Sequence, residues 1–225
     1  MPPLTYSKKE RRHSREVVDS TLCESETHRS SRGVALKPSA TPPLTLMIQI
    51  TRDKPCYYLT SVAHDRLPIF RLDLIKQIVC DAWCEARKSG EIFIFAYVVM
   101  PDHSHIITDG HREISDVLRF LNGISAKRIL DYLKENEFES SLNKLRQKEK
   151  RKGYKHSVWQ HHPDAFRITG EDTFMQKVNY IHQNPVRAGL VERAENYRFS
   201  SARLWKSNPL DDEPFLTDHK LIKWR

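Results

Sequence analysis

His103-Ser104-His105 sets two imidazoles two residues apart, directly after the most apolar stretch of the chain, Ile92 to Met100. Much later, Tyr180 and Asn184 stand four residues apart in a segment whose apolar residues recur at helical spacing. Residues two apart on a strand project to the same face, and their backbones lie roughly 6 to 7 Å apart. Two imidazoles so placed can converge on one divalent cation. Residues four apart on a helix are surface neighbours. A phenol is mostly protonated at neutral pH and is a poor nucleophile unaided. A divalent ion polarises a phosphodiester and neutralises charge in its transition state. The two motifs together point to metal-assisted attack by Tyr180 on a phosphodiester, with the Asn184 side-chain oxygen as a third ligand beside His103 and His105. Transesterification of this kind leaves a phosphotyrosine bond that keeps the energy for rejoining and needs no ATP.

Each motif also has a plainer reading. A lone His-x-His is a weak signal, and two polar histidines on an exposed strand give the same pattern. Tyr180 can be a boundary aromatic with a wet hydroxyl, and Asn184 a helix-ending residue before Pro185. His161, His162 and Asp164 form another polar group, readable either as a rival ligand or general base or as strand-end decoration. His182 reads as phosphate-contacting or structural, because residues two apart on a helix do not face each other.

The positioning elements follow from periodicity. Tyr57 to Val62 is aromatic and β-branched and reads as a strand. Asp73 to Lys88 carries apolar residues at helical spacing, with Gly90 where a cap belongs. Ile92 to Met100 is continuously apolar, the pattern of a central strand buried on both faces. His103 to Thr108 is the next strand, and a helix from Ser115 to about Glu135 follows, with a kink expected at Gly123. A fourth strand lies within Ser157 to Ile168. Glu171 to Asn184 is the tyrosine helix, which Pro185 is expected to end. This order predicts an α+β fold, a ferredoxin-like βαββαβ sandwich with an added C-terminal tyrosine-bearing helix. Many functions use such a core, so the fold alone decides nothing.

The chain has 225 residues and a net charge of +8, with 39% hydrophobic residues. Its isoelectric point is about 9.3 and its mean hydropathy −0.62. The charge favours a polyanionic partner. No apolar run reaches the roughly 20 residues of a membrane helix, no signal peptide is evident, and the four cysteines form no C-x-x-C pair. These features suit a reducing cytoplasm. Residues 1–45 read as a disordered basic tail, 46–206 as the catalytic domain and 207–225 as a C-terminal extension. Lys144, Arg146, Lys148, Lys150, Arg151, Lys152 and Lys155 form a basic run suited to a phosphate backbone. Lys127, Arg128 and Arg187 are further phosphate candidates. Tyr154 and Trp159 flank the run and are expected to stack on unpaired bases.

At these residues the chain resembles the REP-associated tyrosine transposases, of the insertion-sequence-200-like, single-tyrosine HUH group. The pattern YVIMPNHVHLLI, followed later by YIHxNPVRAGLV, stands here as YVVMPDHSHIIT from Tyr97 and YIHQNPVRAGLV from Tyr180. Ser157-Val158-Trp159-Gln160 and Tyr197-Arg198-Phe199-Ser200-Ser201-Ala202 also look familial. The resemblance spans Ile48 to Trp205. It implies a DNA-nicking and rejoining enzyme dependent on Mg²⁺ or Mn²⁺, with His103 and His105 as ligands and a covalent 5′-phosphotyrosine on Tyr180. It also implies a partner of single-stranded DNA with palindromic hairpins and a short guide, acted on by a monomer or homodimer away from any membrane. Two positions depart from the pattern, Asp102 for Asn and Ser104 for an apolar residue. They leave a second reading open, a sequence-specific DNA-binding protein that keeps the fold without the chemistry. A third is a phosphodiesterase that uses water.

Overall fold

Apolar runs with strand character alternate with runs at helical spacing, and this alternation sets the architecture. The structure, a computed structural model, describes residues 48–146, 155–161, 163–211, 213–215 and 217–223. The strands are β1 (Ile48–Gln49), β2 (Cys56–Val62), β3 (Ile94–Val99), β4 (His103–Asp109), β5 (Asp164–Ile168) and β6 (Ile222–Lys223). The helices are α1 (Asp73–Ser89), α2 (Ile114–Glu135), α3 (Glu139–Lys144), α4 (Glu171–Arg187) and α5 (Ala202–Trp205). The expected tail, residues 1–45, lies outside the described residues. None of the described helices is long and apolar enough to cross a membrane.

Four strands form an antiparallel sheet in the order β3-β4-β2-β5. β2 is its hub. Thr60 sits opposite both His105 and Asp164, Tyr58 opposite both Ile107 and Phe166, and Val62 opposite His103. Side chains alternate along a strand, so Tyr58, Thr60, His103, His105, Asp164 and Phe166 share one face. The other face belongs to α1 and α2. The Asn122 amide on α2 donates to the Ser61 hydroxyl at 2.9 Å, and Trp83 on α1 meets Tyr97 edge-on at 6.1 Å. On the histidine face lies α4, where Phe174 meets Phe95 at 6.0 Å.

β3 differs from its expected place. All six of its residues are buried, yet it is an outer strand rather than a central one. Its free edge is covered by the Tyr197–Ser201 segment. Val99 N–H donates to Phe199 O at 2.9 Å, Ser201 N–H donates to Tyr97 O at 3.0 Å, and Val98 bridges Ser200. An apolar edge left open is a template for aggregation, and this segment removes it. The chain after α5 packs on the same core. Phe215 stacks on Tyr97 at 4.4 Å, and the Asp218 carboxylate accepts from Arg87 Nε at 2.8 Å and from Ile94 N–H at 2.9 Å.

Pro185 does not end the tyrosine helix, which runs on to Arg187 with the proline buried inside it. The stop lies at Gly189, whose φ is +66°. Gly189 N–H donates to Val186 O at 3.0 Å and Leu190 N–H to Pro185 O at 2.9 Å, the paired bonds of a Schellman cap. Pro185 therefore forfeits one helical bond close to a well-capped end. α2 runs unbroken through the glycine expected to kink it, and a Cβ on Gly123 would meet nothing within 4 Å. Gly123→Ala should therefore stabilise the protein by about 0.5–1 kcal/mol, through lower chain entropy in the unfolded state. Gly189→Ala should destabilise it by roughly 1–2 kcal/mol, because a left-handed residue with a Cβ is strained. Urea unfolding midpoints moving in opposite directions would bear this out, and movement in the same direction would contradict it.

Candidate active site on the open sheet face

The turn from β3 into β4 is fixed by backbone bonds before any side chain acts. Met100 N–H donates to His103 O at 2.8 Å, Phe70 N–H to Pro101 O at 3.0 Å, and Ala63 N–H to Asp102 O at 2.8 Å. β4 then delivers His103 and His105 to the same face, with ring centroids 4.9 Å apart and planes at 71°. Ser104, between them, is 2% exposed on the opposite face. Its small side chain thus lies in the helix-packed core.

Each imidazole is held through Nδ1. His103 Nδ1 lies 2.6 Å from an Asp102 carboxylate oxygen, so the carboxylate accepts the Nδ1–H. Asp102 also pairs with Arg66 at 3.4 Å. His105 Nδ1 lies 2.8 Å from the Tyr58 hydroxyl and 3.0 Å from the Thr60 hydroxyl. With the proton on Nδ1, that N–H donates to these oxygens. His105 Nε2 is buried and lacks a hydrogen-bond partner among the described residues. Burial first, and then the charges of His103 and Lys177, push the His105 pKa down to about 3. The ring is therefore neutral and keeps a donor lone pair.

Tyr180 faces this pair from α4. Its ring stands 5.4 Å from His105 at 72° and 6.2 Å from Tyr58 at 82°. The two tyrosines differ in access. Tyr180 is 39% exposed and Tyr58 8%, and burial pushes the Tyr58 phenol up to about 12. Tyr58 supports His105, whereas Tyr180 is open to a ligand. The Arg187 guanidinium lies 5.1 Å from the Tyr180 ring centroid. Asn184 follows one turn after Tyr180 and is half-buried.

The helix is locked in place by residues after it. His182 Nε2 lies 2.9 Å from the Ser201 hydroxyl, which accepts from Tyr97 N–H at 2.9 Å. Trp205 Nε1–H donates to Phe95 O at 2.9 Å. Burial first, with the charges of His219 and Lys206 after it, pushes the His182 pKa down to about 4. Of its two readings, His182 takes the structural one, a neutral tether between α4 and β3.

The basic candidates separate. Lys127 pairs with Asp131 at 3.0 Å, and Arg128 with Glu85; both stand in the α1–α2 layer, on the far face of the sheet. Lys144, Arg146 and Lys155 are exposed near α3. Lys148, Lys150, Arg151, Lys152, Tyr154 and His162 lie outside the described residues. Of the described residues in the set, Arg187 is the one placed at Tyr180. Trp159 is not a stacking surface. It is 5% exposed, packs on Phe70 at 4.6 Å and donates its Nε1–H to Ser125 at 3.1 Å, so it belongs to the core. His161 is exposed, and Asp164 opens β5 across Thr60 from His105.

Sequence reasoning missed Tyr58, Thr60, Phe166 and Lys177. Lys177 Nζ lies 4.8 Å from the Tyr58 ring centroid and 4.7 Å from that of Phe166. A signal existed for Lys177, which stands three residues before Tyr180 and so on the same helix surface. The others depend on strand register, which the sequence does not display.

His105, neutral and with an Nε2 that lacks a partner among the described residues, forms with His103 beside it a nitrogen donor pair that suits a divalent ion such as Mn²⁺. Their Nδ1 partners are of the kind that orient metal-binding histidines. Among the described residues no three His, Cys, Asp or Glu side chains cluster to hold a metal. Further ligands would then be amide oxygens, water or a bound phosphate.

No curated protein matches the chain. Among solved structures, a REP-associated tyrosine transposase bound to a REP hairpin is 18% identical, with a TM-score of 0.48 over 76% of this chain and 89% of that one. A transposase candidate from Deinococcus radiodurans R1 is also 18% identical, with a TM-score of 0.40 over 69% of this chain and 97% of that one. The family model for IS200-like transposases matches residues 54–184. That match covers more than half of the chain and runs from β2 through the histidine pair to Asn184, and on it the chain belongs to the IS200-like transposase family.

Proposed function

We propose that this transposase nicks and rejoins single-stranded DNA beside a hairpin through a covalent bond to Tyr180. The observation that supports this most is the grouping of one open tyrosine with two adjacent histidines, one of them neutral with a buried Nε2 that lacks a partner among the described residues. The Tyr180 hydroxyl attacks the scissile phosphorus. The P–O3′ bond breaks, the 3′ oxygen leaves and takes up a proton, and the phenol proton passes to solvent. The downstream strand then remains joined to Tyr180 through its 5′ phosphate. Attack by a 3′ hydroxyl on that phosphotyrosine reverses the step and joins new ends.

His103 and His105 would hold a Mg²⁺ or Mn²⁺ ion, with Asn184 as a third ligand. Such an ion, when bound, supplies charge to the phosphate oxygens in the transition state. Asp102 acts on His103, fixing its tautomer and orientation, and so an acidic residue there serves the site. Asp102→Ala should weaken Mn²⁺ affinity by about 10- to 100-fold, and Asp102→Asn should lose less, since an amide oxygen still accepts from Nδ1. Calorimetric titration with Mn²⁺ checks this, and unchanged affinity in Asp102→Ala would rule out the orienting role.

The DNA partner is proposed to be a palindromic hairpin with a single-stranded flank. The test is incubation with such an oligonucleotide and Mn²⁺, followed by a denaturing gel. A protein–DNA adduct supports the tyrosine mechanism. Cleavage without adduct would instead indicate water as the nucleophile, and binding with neither would indicate a DNA-binding protein without the chemistry.

A further inference from the structure

Lys177 and Phe166 belong to neither the metal site nor the core, yet they flank the tyrosine. Phe166 is 47% exposed on β5, directly across from Tyr58 in the strand register. An exposed phenyl ring on a sheet face is left uncovered at a cost unless something packs on it. Lys177 rises from α4 three residues before Tyr180. Its ammonium stands 4.7 Å from the Phe166 ring centroid and 4.8 Å from that of Tyr58, and no acidic partner holds it in an ion pair among the described residues. The ammonium lies over one face of the Phe166 ring, which still remains 47% exposed, and a cation next to open aromatic surface matches the two halves of a nucleotide, its phosphate and its base. Asp164 lies two residues earlier on the same face of β5.

We infer that Lys177 and Phe166 form a nucleotide subsite beside Tyr180, with Lys177 on a backbone phosphate and Phe166 stacked on an unpaired base. The inference rests on the DNA reading given above, but its chemistry is binding and needs neither metal nor covalent step. Stacking on an aromatic ring tolerates any base and favours large ones. The subsite therefore orients the strand before the tyrosine without reading its sequence.

The test uses the full-length protein in EDTA and fluorescence anisotropy. Three labelled probes of about 12 nucleotides, a length within the usual site sizes, are an adenine oligomer, a thymine oligomer and an abasic phosphodiester chain. Phe166→Leu keeps apolar cover on the sheet but removes the ring. It should weaken adenine-oligomer binding by about 10-fold and leave abasic-chain binding unchanged. Lys177→Met keeps the stem over Tyr58 but removes the charge. It should weaken all three probes alike and lower the slope of log K against log salt by about 0.7, while Lys177→Arg should restore both. Circular dichroism melts confirm that the variants are folded.

Equal loss on the adenine and abasic probes in Phe166→Leu would overturn the stacking role, as would no loss on either. An unchanged salt slope in Lys177→Met would overturn the phosphate contact. These outcomes separate from those for the tyrosine mechanism. If no adduct ever forms but adenine binding still depends on Phe166, the subsite stands and the mechanism falls. If the adduct forms and the Phe166 variants bind as the parent does, the mechanism stands and the subsite falls.

Discussion

Tyr180→Phe should abolish the covalent protein–DNA adduct and lower cleavage of a hairpin-bearing oligonucleotide by at least about 10⁴-fold, the scale of loss when a covalent nucleophile is removed. The change deletes one hydroxyl from a ring that is 39% exposed. The ring contacts to His105 and Arg187 are kept, so the fold and DNA affinity should stay close to those of the parent. Tyr58 cannot take over. It is 8% exposed, its hydroxyl is engaged by His105 Nδ1, and burial holds its phenol protonated. Single-turnover cleavage assays give the rate. A residual adduct at parental yield in Tyr180→Phe would remove Tyr180 from the reaction.

The second large effect concerns the two histidines, which should differ in a way their burial dictates. His103→Ala and His105→Ala should each lower single-turnover cleavage by about 10²–10³-fold, the scale set by loss of transition-state charge stabilisation. Only His105→Ala should also destabilise the protein, by about 1–3 kcal/mol. His105 is 5% exposed and sits against the Tyr58 and Thr60 hydroxyls, and Ala removes the ring nitrogen on which both converge. The His103 side chain is 20% exposed, and its half-buried partner Asp102 also pairs with Arg66. Urea unfolding separates the two. Cleavage at the parental rate in either variant would show that its imidazole does no work in the reaction.

How far the sequence reveals this site depends on whether local periodicity or register positions each residue. The pairing of His103 with His105 follows from the two-residue period of a strand, and the tyrosine helix from the spacing of Phe174, Val178 and Ile181, all three buried. These relations are local and legible. The helix end misled because Pro185 is a strong breaker by composition, whereas the φ of Gly189 and its paired bonds to Val186 and Pro185 set the stop. Trp159 misled because it borders a basic run, yet Phe70 and Ser125 bury it from distant parts of the chain. β3 read as central because it is buried on both faces; the cover on its edge comes from residues 197–201, a contact no periodicity encodes. Tyr58, Thr60 and Phe166 became visible only once β2 was paired with β4 and β5.

The histidine tether to Ser201 shows why the family-like segment after the helix matters to the chemistry. It does not touch the reacting groups. It fixes α4 against β3 through His182 and Trp205, and a near-attack geometry tolerates little error in placement.

The central claim is that Tyr180 itself becomes bonded to DNA. The most direct measurement is peptide mass spectrometry of the protein after reaction with a hairpin oligonucleotide and Mn²⁺, with nuclease trimming of the attached strand. The expected result is a nucleotide remnant joined by a 5′ phosphate to Tyr180. A remnant on Tyr58 or any other residue, or cleaved DNA with no modified peptide, would contradict it.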